Sequence, residues 1–543
     1  MAERLSSHEL APSAHVDTFC ADNLPPRELW PVRDWTGVPE LDSPVRLNCA
    51  AELLDSGVER GDGERAALAS STERWTYGEL LDRANRIAHV LVDDLGLVPG
   101  NRVLLRGPNT PMLAACWFGV LKAGGVVVCT MPLLRERELR YIADKARLTL
   151  ALCDARFAGE CEAAIAKTVH FGTGAPGSLD EMMRARPATF KNCDTAAEDT
   201  AIIAFTSGTT GQGKGTMHSH RDILAITDCF PKYVLKPSRD DVFCGSPPLA
   251  FTYALGGLLL FPLRIGASAL LLEQGAPPHL IKAITEYRPT VCFTAPTAYR
   301  AMCGLLAEHD VSSLRLCVSA GETLPASVFE AWRAATGVKI IDGIGATEML
   351  HIFISSSGDD IRPGATGKVV PGYSAKVVGD DGQDAPAGTV GRLAVRGPTG
   401  CRYLDNPDRQ AEYVRDGWNF TGDSYRIDDD GYFWYQARTD DMIISSGYNL
   451  SGPEVENVLL EHRAVHECAV IGVPDEARGQ LVKAVVVLRP GFDGSVELVR
   501  ELQDFVKARI APYKYPRAVE FVDALPRTST GKLQRFRLRE ERS

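Results

Sequence analysis

The sequence predicts an α/β protein of several layers, with stacked sheets, helices and a β-rich subdomain in a large N-terminal domain and a small α+β domain at the C-terminal end. Three observations predict it. From about Ala66, apolar stretches at strand spacing alternate with stretches at helix spacing, the pattern of a mostly parallel sheet covered by helices on both faces. After about Gly388 short β-like segments follow one another with turn residues between them. From about Asp440 a compact run mixes helices and strands over about 100 residues, an ordinary size for one domain.

Each element has a local reason. Thr76-x-x-Glu79 is a capping box, and Leu80, Leu81, Ala84, Ile87, Ala88 and Leu91 follow it at helical spacing. Arg102–Leu105 reads as a strand, about Met112–Lys122 as a helix, and Gly124-Gly125 leads into the strand Val126–Thr130. A helix over about Glu136–Ala146 and a strand over Leu148–Cys153 continue the alternation. Gly391–Val395, Gly417–Tyr425 and Tyr432–Tyr435 are short strands, and Asp430-Gly431 is a hairpin signal. The last unit has helices at Pro453–Leu460 and Val496–Ile510, with strands at Glu467–Val473, Leu481–Arg489 and Val519–Val522. A boundary at Thr439–Asp441 gives a large domain over 1–439, with its β-rich subdomain at about 365–438, and a small C-terminal domain over 440–543. Residues 1–45, rich in Pro, Trp and polar groups, read as an arm laid on the surface.

Composition bounds the function. The 543 residues suit three to four units of about 150 residues each. Hydrophobic residues make up 45% and charged residues 24%, as in soluble globular proteins. With 59 basic against 70 acidic side chains the net charge is −11, which disfavours non-specific binding to nucleic acid or to an anionic membrane. The 14 cysteines contain no C-x-x-C and fall often in apolar runs, so they read as reduced thiols of a cytoplasmic protein rather than disulfides or zinc ligands. The N-terminus has no apolar core of a secretory signal. Leu255–Leu272 is apolar, but Gly256, Gly257, Pro262, Arg264 and Gly266 interrupt it, as in a buried helix, a turn and a strand.

The strongest local signal is Ala201–Thr216, an apolar strand running into a loop rich in Gly and Thr with Lys214 at its end. Small residues let backbone N–H groups approach an anion, hydroxyls add donors and Lys214 adds charge, so the loop reads as a phosphate cradle. Gly208-x-x-x-x-Gly213-Lys214 also matches most of a Walker A loop, yet Gly215 stands where that loop needs Ser or Thr for Mg²⁺. Glu348, beside Thr347, is either a Mg²⁺-holding carboxylate or a carboxylate at a helix start. Asp423 after Gly422 either accepts sugar hydroxyls or makes an Asx turn.

The segment T-S-G-T-T-G-x-x-K-G resembles the signature loop of the acyl-adenylate-forming enzymes, which include acyl-CoA synthetases, luciferases and peptide-synthetase adenylation domains. Gly213 stands where that family usually has Pro before the Lys, a departure that leaves the donors in place. Further resemblances follow in order: Lys122-Ala123-Gly124 with Pro132, Ser319-Ala320-Gly321-Glu322, Asp342-Gly343-Ile344-Gly345-Ala346-Thr347-Glu348, Phe420-Thr421-Gly422-Asp423, Arg438-Thr439-Asp440-Asp441, and Pro526-Arg527-Thr528-x-Thr530-Gly531-Lys532. Ala437 stands where the family usually has Gly.

The resemblance implies roles. Thr206, Ser207, Gly208, Thr209, Thr210 and Lys214 would hold the phosphates of ATP, while Gly321, Glu322, Asp342 and Gly343 would flank adenine. Asp423 and Arg438 would hold ribose and phosphate, Thr347 and Glu348 would act on Mg·ATP, and Lys532 would be a mobile catalytic lysine. The C-terminal domain over 440–543 would be a mobile lid with Asp440 as its hinge, and Ser446, Gly447 and Tyr448 would form the tunnel for coenzyme A. Pro248–Gly257, Thr347–His351, Gln436–Arg438 and Ala511–Pro516 look like the benzoate and 2-aminobenzoate CoA ligases, so that Phe251, Tyr253, Gly345, Leu350 and His351 would line an aryl pocket. Aromatic walls and a glycine floor suit a flat ring, although Phe251 and Tyr253 fit equally well as helix core. The implied activity is ATP-dependent aryl-CoA ligation through an acyl-adenylate, by a monomer or homodimer that uses ATP, Mg²⁺ and coenzyme A. A larger aryl acid, a carrier-protein acceptor and a non-catalytic nucleotide-binding protein are the alternatives.

Overall fold

A computed structural model describes residues 11–35, 38–206, 213–438, 441–445, 448–475, 479–510, 514–528 and 533–540. The predicted alternation of strand and helix builds two sheets. One has nine strands, in the order Lys368–Val369, Ile352–Ser355, Ile340–Gly345, Leu316–Ala320, Val291–Thr294, Val242–Gly245, Ser268–Leu270, Ala66–Ala69, Arg74–Thr76. Its inner strands are parallel and its edges antiparallel. The other has six, in the order Lys167–Phe171, Leu150–Asp154, Arg102–Arg106, Val126–Thr130, Thr200–Phe205, Gly215–Ser219, with only the last antiparallel.

Between these sheets lies a helix pair. Tyr77–His89 starts at the Thr76–Glu79 capping box and packs on the nine-stranded sheet, while Pro111–Lys122 packs on the six-stranded one. Every residue of Pro111–Lys122 except Met112 is buried, because a helix between two apolar faces has no polar side to keep. Gly119 permits the close crossing: a Cβ there would meet Ile87 Cγ2 at 2.6 Å. Lys122 is wholly buried and reaches both oxygens of Asp55, at 2.6 and 2.5 Å.

The described part of the N-terminal arm is tied down at both ends. Val16 N donates to Pro99 O at 2.9 Å, and Asp17 pairs with Arg102. Arg33 reaches Glu198 at 2.6 Å and the wholly buried Asp222 at 2.8 Å; Asp222 also takes Arg402 at 2.9 Å. All 14 cysteines are free thiols and most are buried. The apolar stretch after Leu255 forms a buried helix and the strand Ser268–Leu270. Among the described residues no helix is long and apolar enough to cross a membrane.

Two antiparallel assemblies follow. Ser374–Val378, Gly391–Arg396, Trp418–Ile427, Val414–Arg415 and Phe433–Arg438 form a five-stranded sheet. The turn before Phe433 has Gly431 at φ +81°, which glycine adopts without a Cβ clash. Ile443–Ser445, Tyr448–Leu450, Val465–Asp475, Gly479–Leu488 and Ala518–Phe521 form the C-terminal sheet, with Gly452–Leu460 and Val496–Lys507 packed into its core.

Candidate active site

The phosphate loop hangs from a hairpin. Thr200–Phe205 and Gly215–Ser219 pair antiparallel, and the neck closes where Thr206 N donates to Lys214 O at 2.9 Å. Lys214 N returns a bond to Thr206 Oγ1 at 3.4 Å. A Cβ at Gly213 would lie 2.8 Å from Thr206 O, so the narrow neck itself gives glycine a steric reason there. Burial and Arg409 lower the Lys214 ammonium, and Glu348 holds it up. Ser207, Gly208, Thr209 and Thr210 lie outside the described residues, as do Asp440, Ser446, Gly447 and Lys532; so does the side chain of Tyr448.

Two motifs far apart in sequence meet at the ends of adjacent parallel strands. Ser319 pairs with Asp342 and Ala320 with Gly343, so Gly321 and Glu322 leave the sheet beside Asp342 and Gly343. This is the strand end where open α/β sheets bind ligands. Gly321 makes its turn at φ +86°. Burial pushes the Asp342 carboxyl up to about 8, and its buried Oδ1 has no hydrogen-bond partner among the described residues.

Beyond that strand, Thr347–Met349 forms a single helical turn. The wholly buried His218 donates from Nε2 to Thr347 O at 2.8 Å, and burial lowers its imidazole to about 4. Tyr403, also wholly buried, donates to Glu348 Oε1 at 2.6 Å. No motif pointed to His218 or Tyr403, and neither lies in an apolar run that would have marked it. In the β-rich sheet, Asp423 and Arg438 are register partners, and Arg438 Nη1 lies 3.1 Å from Asp423 Oδ1.

The residues singled out for the acid also gather. His351 Nε2 donates to Tyr253 O at 3.2 Å, and the two rings lie 5.8 Å apart. Burial lowers the His351 imidazole to about 3, so it is neutral, and its Nδ1 has no partner among the described residues. The Tyr253 hydroxyl donates to Val318 O at 3.1 Å and Thr294 O at 3.3 Å, which leaves the ring as an apolar wall. Gly345 is exposed, and a Cβ there would meet His351 C and O at 2.8 Å. Leu350 is wholly buried with φ +70°, a strained turn between Glu348 and His351. Phe251 precedes the helix that carries Tyr253 and is half-buried.

Residues 55–402 match the model of the AMP-binding enzyme, and 454–532 match the AMP-binding enzyme C-terminal domain. The chain belongs to the AMP-binding enzyme family. This member is 36% identical over 515 residues to the benzoate–CoA ligase of Thauera aromatica, covering 92% of this chain and 97% of that one. It superposes on an anthranilate CoA ligase in complex with anthranoyl-AMP with TM-score 0.87 and 36% identity, covering 92% and 98% of the two chains. A benzoate CoA ligase from Burkholderia xenovorans matches with TM-score 0.83 and 34% identity, covering 91% and 100%.

The donor set for a metal is small. Among the described residues no group of three or more His, Cys, Asp or Glu side chains is placed to hold an ion. A lone Glu348 carboxylate fits Mg²⁺, which is commonly bound by one or two carboxylates, waters and the phosphates of its substrate.

Proposed function

We propose that this protein is an ATP-dependent aryl-CoA ligase for an acid of the benzoate or 2-aminobenzoate type. The observation that carries the reading is that His351, bonded to Tyr253 of the helix Thr252–Ala254, follows Glu348 by three residues on the segment that is bonded through Thr347 to the phosphate hairpin. The similarity to a benzoate–CoA ligase and an anthranilate CoA ligase supports the same class of acid.

The reaction has two steps. A carboxylate oxygen of the acid attacks the α-phosphorus of ATP, the bond to the bridging oxygen breaks and pyrophosphate leaves. The sulfur of coenzyme A then attacks the acyl carbon, the bond to AMP breaks and the thiol proton passes to solvent. Lys214 and the loop at 206–214 would hold the phosphates, and Asp423 would accept the ribose hydroxyls beside Arg438. Glu348 would hold Mg²⁺, which neutralises phosphate charge when bound. Lys532 would reach the carboxylate and α-phosphate, a donor at developing charge worth about 10²–10³ in rate. Rotation at Asp440 would withdraw Lys532 and bring Ser446, Gly447 and Tyr448 to the acyl-adenylate. No protein nucleophile is needed, since positioning and charge carry the activation.

Pyrophosphate release from ATP and Mg²⁺ with a panel of aryl and fatty acids, with and without coenzyme A, tests the reading. Turnover with benzoates, AMP as the nucleotide product and an aryl thioester with coenzyme A is the expected result. Turnover only with long-chain acids, transfer only to a carrier protein, or ADP as product would overturn it.

A further inference from the structure

Tyr403 sits where two distant parts of the site meet. The strand Gly215–Ser219, which begins where the phosphate loop ends, pairs on its free edge with the segment Arg402–Leu404. Met217 N donates to Arg402 O at 2.8 Å, Leu404 N donates to Gly215 O at 2.9 Å, and Thr216 and Tyr403 form an antiparallel bridge. Gln410 Oε1 accepts from Tyr403 N at 2.9 Å. The backbone of Tyr403 is therefore tied to the phosphate hairpin, and its hydroxyl crosses to Glu348. The same strand sends His218 to Thr347 O. Both members of the Thr347-Glu348 pair are thus held from the strand that closes the phosphate loop.

The chemistry of the bond matters. A hydroxyl that donates to a carboxylate makes a charge-assisted bond, roughly twice as strong as a neutral one. An ionised carboxylate only accepts, so the hydroxyl of the wholly buried Tyr403 is the donor of the bond to Glu348. One carboxylate oxygen is occupied and the other is left with a fixed direction.

We infer that Tyr403 is a positioning residue for Glu348: it takes one carboxylate oxygen, tying it to the strand Gly215–Ser219, so that the other faces a divalent cation carried by the nucleotide phosphates. The inference rests on the proposed role of Glu348 as the Mg²⁺-holding carboxylate. Tyr403 acts through Glu348 and is not itself catalytic.

Binding of Mn²⁺ in the presence of a non-hydrolysable ATP analogue, followed by electron paramagnetic resonance, needs no turnover. Tyr403→Phe is expected to weaken it about tenfold or more, as loss of a group that orients a metal ligand does. Glu348→Gln is expected to weaken it at least as much, and the double variant no further. Thioester formation from preformed aryl-adenylate and coenzyme A, which uses no metal–ATP complex, is expected to be unchanged in Tyr403→Phe. Wild-type Mn²⁺ binding in Tyr403→Phe, with loss in Glu348→Gln, would overturn the inference and leave the role of Glu348 intact. Wild-type binding in Glu348→Gln would overturn that role and the inference with it. Equal damage to both half-reactions in Tyr403→Phe would mark a merely structural tyrosine and overturn the inference. Should Tyr403→Phe not fold, replacing Tyr403 by 4-aminophenylalanine keeps a donor. It is expected to bind Mn²⁺ as wild type does, and failure to do so in the folded protein would overturn the inference.

Discussion

Arg527 Nη1 lies 3.4 Å from Glu322 Oε1, an ion pair between the C-terminal unit and the loop that follows the strand Leu316–Ala320. Arg527 Nη2 also holds Glu467 at 2.5 Å, and Glu467 lies 3.6 Å from Arg300. Arg300 donates in addition to His466 O at 3.2 Å. The chain Glu322–Arg527–Glu467–Arg300 therefore crosses between the large and small units twice. If the lid rotates at Asp440 between the two steps, these pairs belong to one orientation only. Arg527→Ala removes one of the pairs between the units, and a partly exposed pair is worth about 0.2–1 kcal/mol, so the variant is expected to slow pyrophosphate release by up to about fivefold. Thioester formation from preformed adenylate should be unaffected. Salt should slow the first step of the wild type and slow Arg527→Ala less, because exposed pairs are screened and the variant keeps the Arg300–Glu467 pair between the units. Stopped-flow kinetics of the separate half-reactions at low and high salt read this.

The Asp423–Arg438 pair depends on a glycine. Arg438 Nη1 also donates to Thr421 O at 3.1 Å, so the guanidinium folds over residue 422. Gly422 has φ +79°, and a Cβ there would lie 2.7 Å from Arg438 Nη2. Gly422→Ala adds about 1–3 kcal/mol of strain and pushes the guanidinium off Asp423. The expected result is an ATP KM raised roughly tenfold with a smaller change in kcat. Steady-state kinetics with ATP varied at saturating acid checks it, and an unchanged KM would separate the pair from nucleotide binding.

Three buried histidines make the protein sensitive to acid. His218 is lowered to about 4 by burial, and His220 and His351 to about 3. Each has its ordinary value near 6.5 when unfolded. Below that pH the unfolded chain takes protons that the folded chain refuses, so stability falls as pH drops from about 6.5 toward 4. Asp342, pushed up to about 8, acts in the opposite sense: the folded chain holds its proton between pH 8 and the unfolded value. Three protons against one leave a net loss of roughly 3 kcal/mol per pH unit between about pH 6 and pH 4. Urea midpoints measured from pH 8 to pH 4 should therefore be nearly flat above pH 7 and fall steeply below pH 6. Single His→Gln variants that fold should lessen the slope.

The parts of this molecule that were legible in its sequence are those whose cause is local. The capping box at Thr76–Glu79, the helix Glu136–Ala146 and the strand Val126–Thr130 each carry their own periodicity or cap. The motif residues Lys214, Asp342, Glu348, Asp423 and Arg438 could be picked out because short segments carry them. Which strand joins which of the stacked sheets was not legible, since inner parallel strands of either sheet read as the same apolar runs. Nor were His218 and Tyr403, whose meaning arises only when the strand Gly215–Ser219 pairs with Arg402–Leu404 and both reach Thr347-Glu348. Arg33 was read as part of a surface arm, and its partners Glu198 and Asp222 lie far along the chain.

Two glycines press on His351, the histidine of the proposed aryl pocket. A Cβ at Gly256 would lie 2.4 Å from His351 Cδ2, and a Cβ at Gly345 would lie 2.8 Å from the His351 carbonyl. Phe261, 4.6 Å from the imidazole in a T-shaped contact, and Phe230 at 5.8 Å leave the ring little room to retreat. A methyl group at either glycine must therefore move His351 toward Tyr253 or strain the turn at Leu350, and such overpacking costs about 1–3 kcal/mol. Gly256→Ala and Gly345→Ala are each expected to lower kcat/KM for benzoates by roughly tenfold or more, with ATP KM little changed. Ring-substituted acids should lose more than benzoate itself, because displacement of the histidine narrows the slot where substituents lie. Initial rates over a substituent series, set beside melting temperatures, separate this from simple destabilisation. A uniform loss across all acids, tracking the melting temperature, would make His351 a core residue rather than a wall of the acid site.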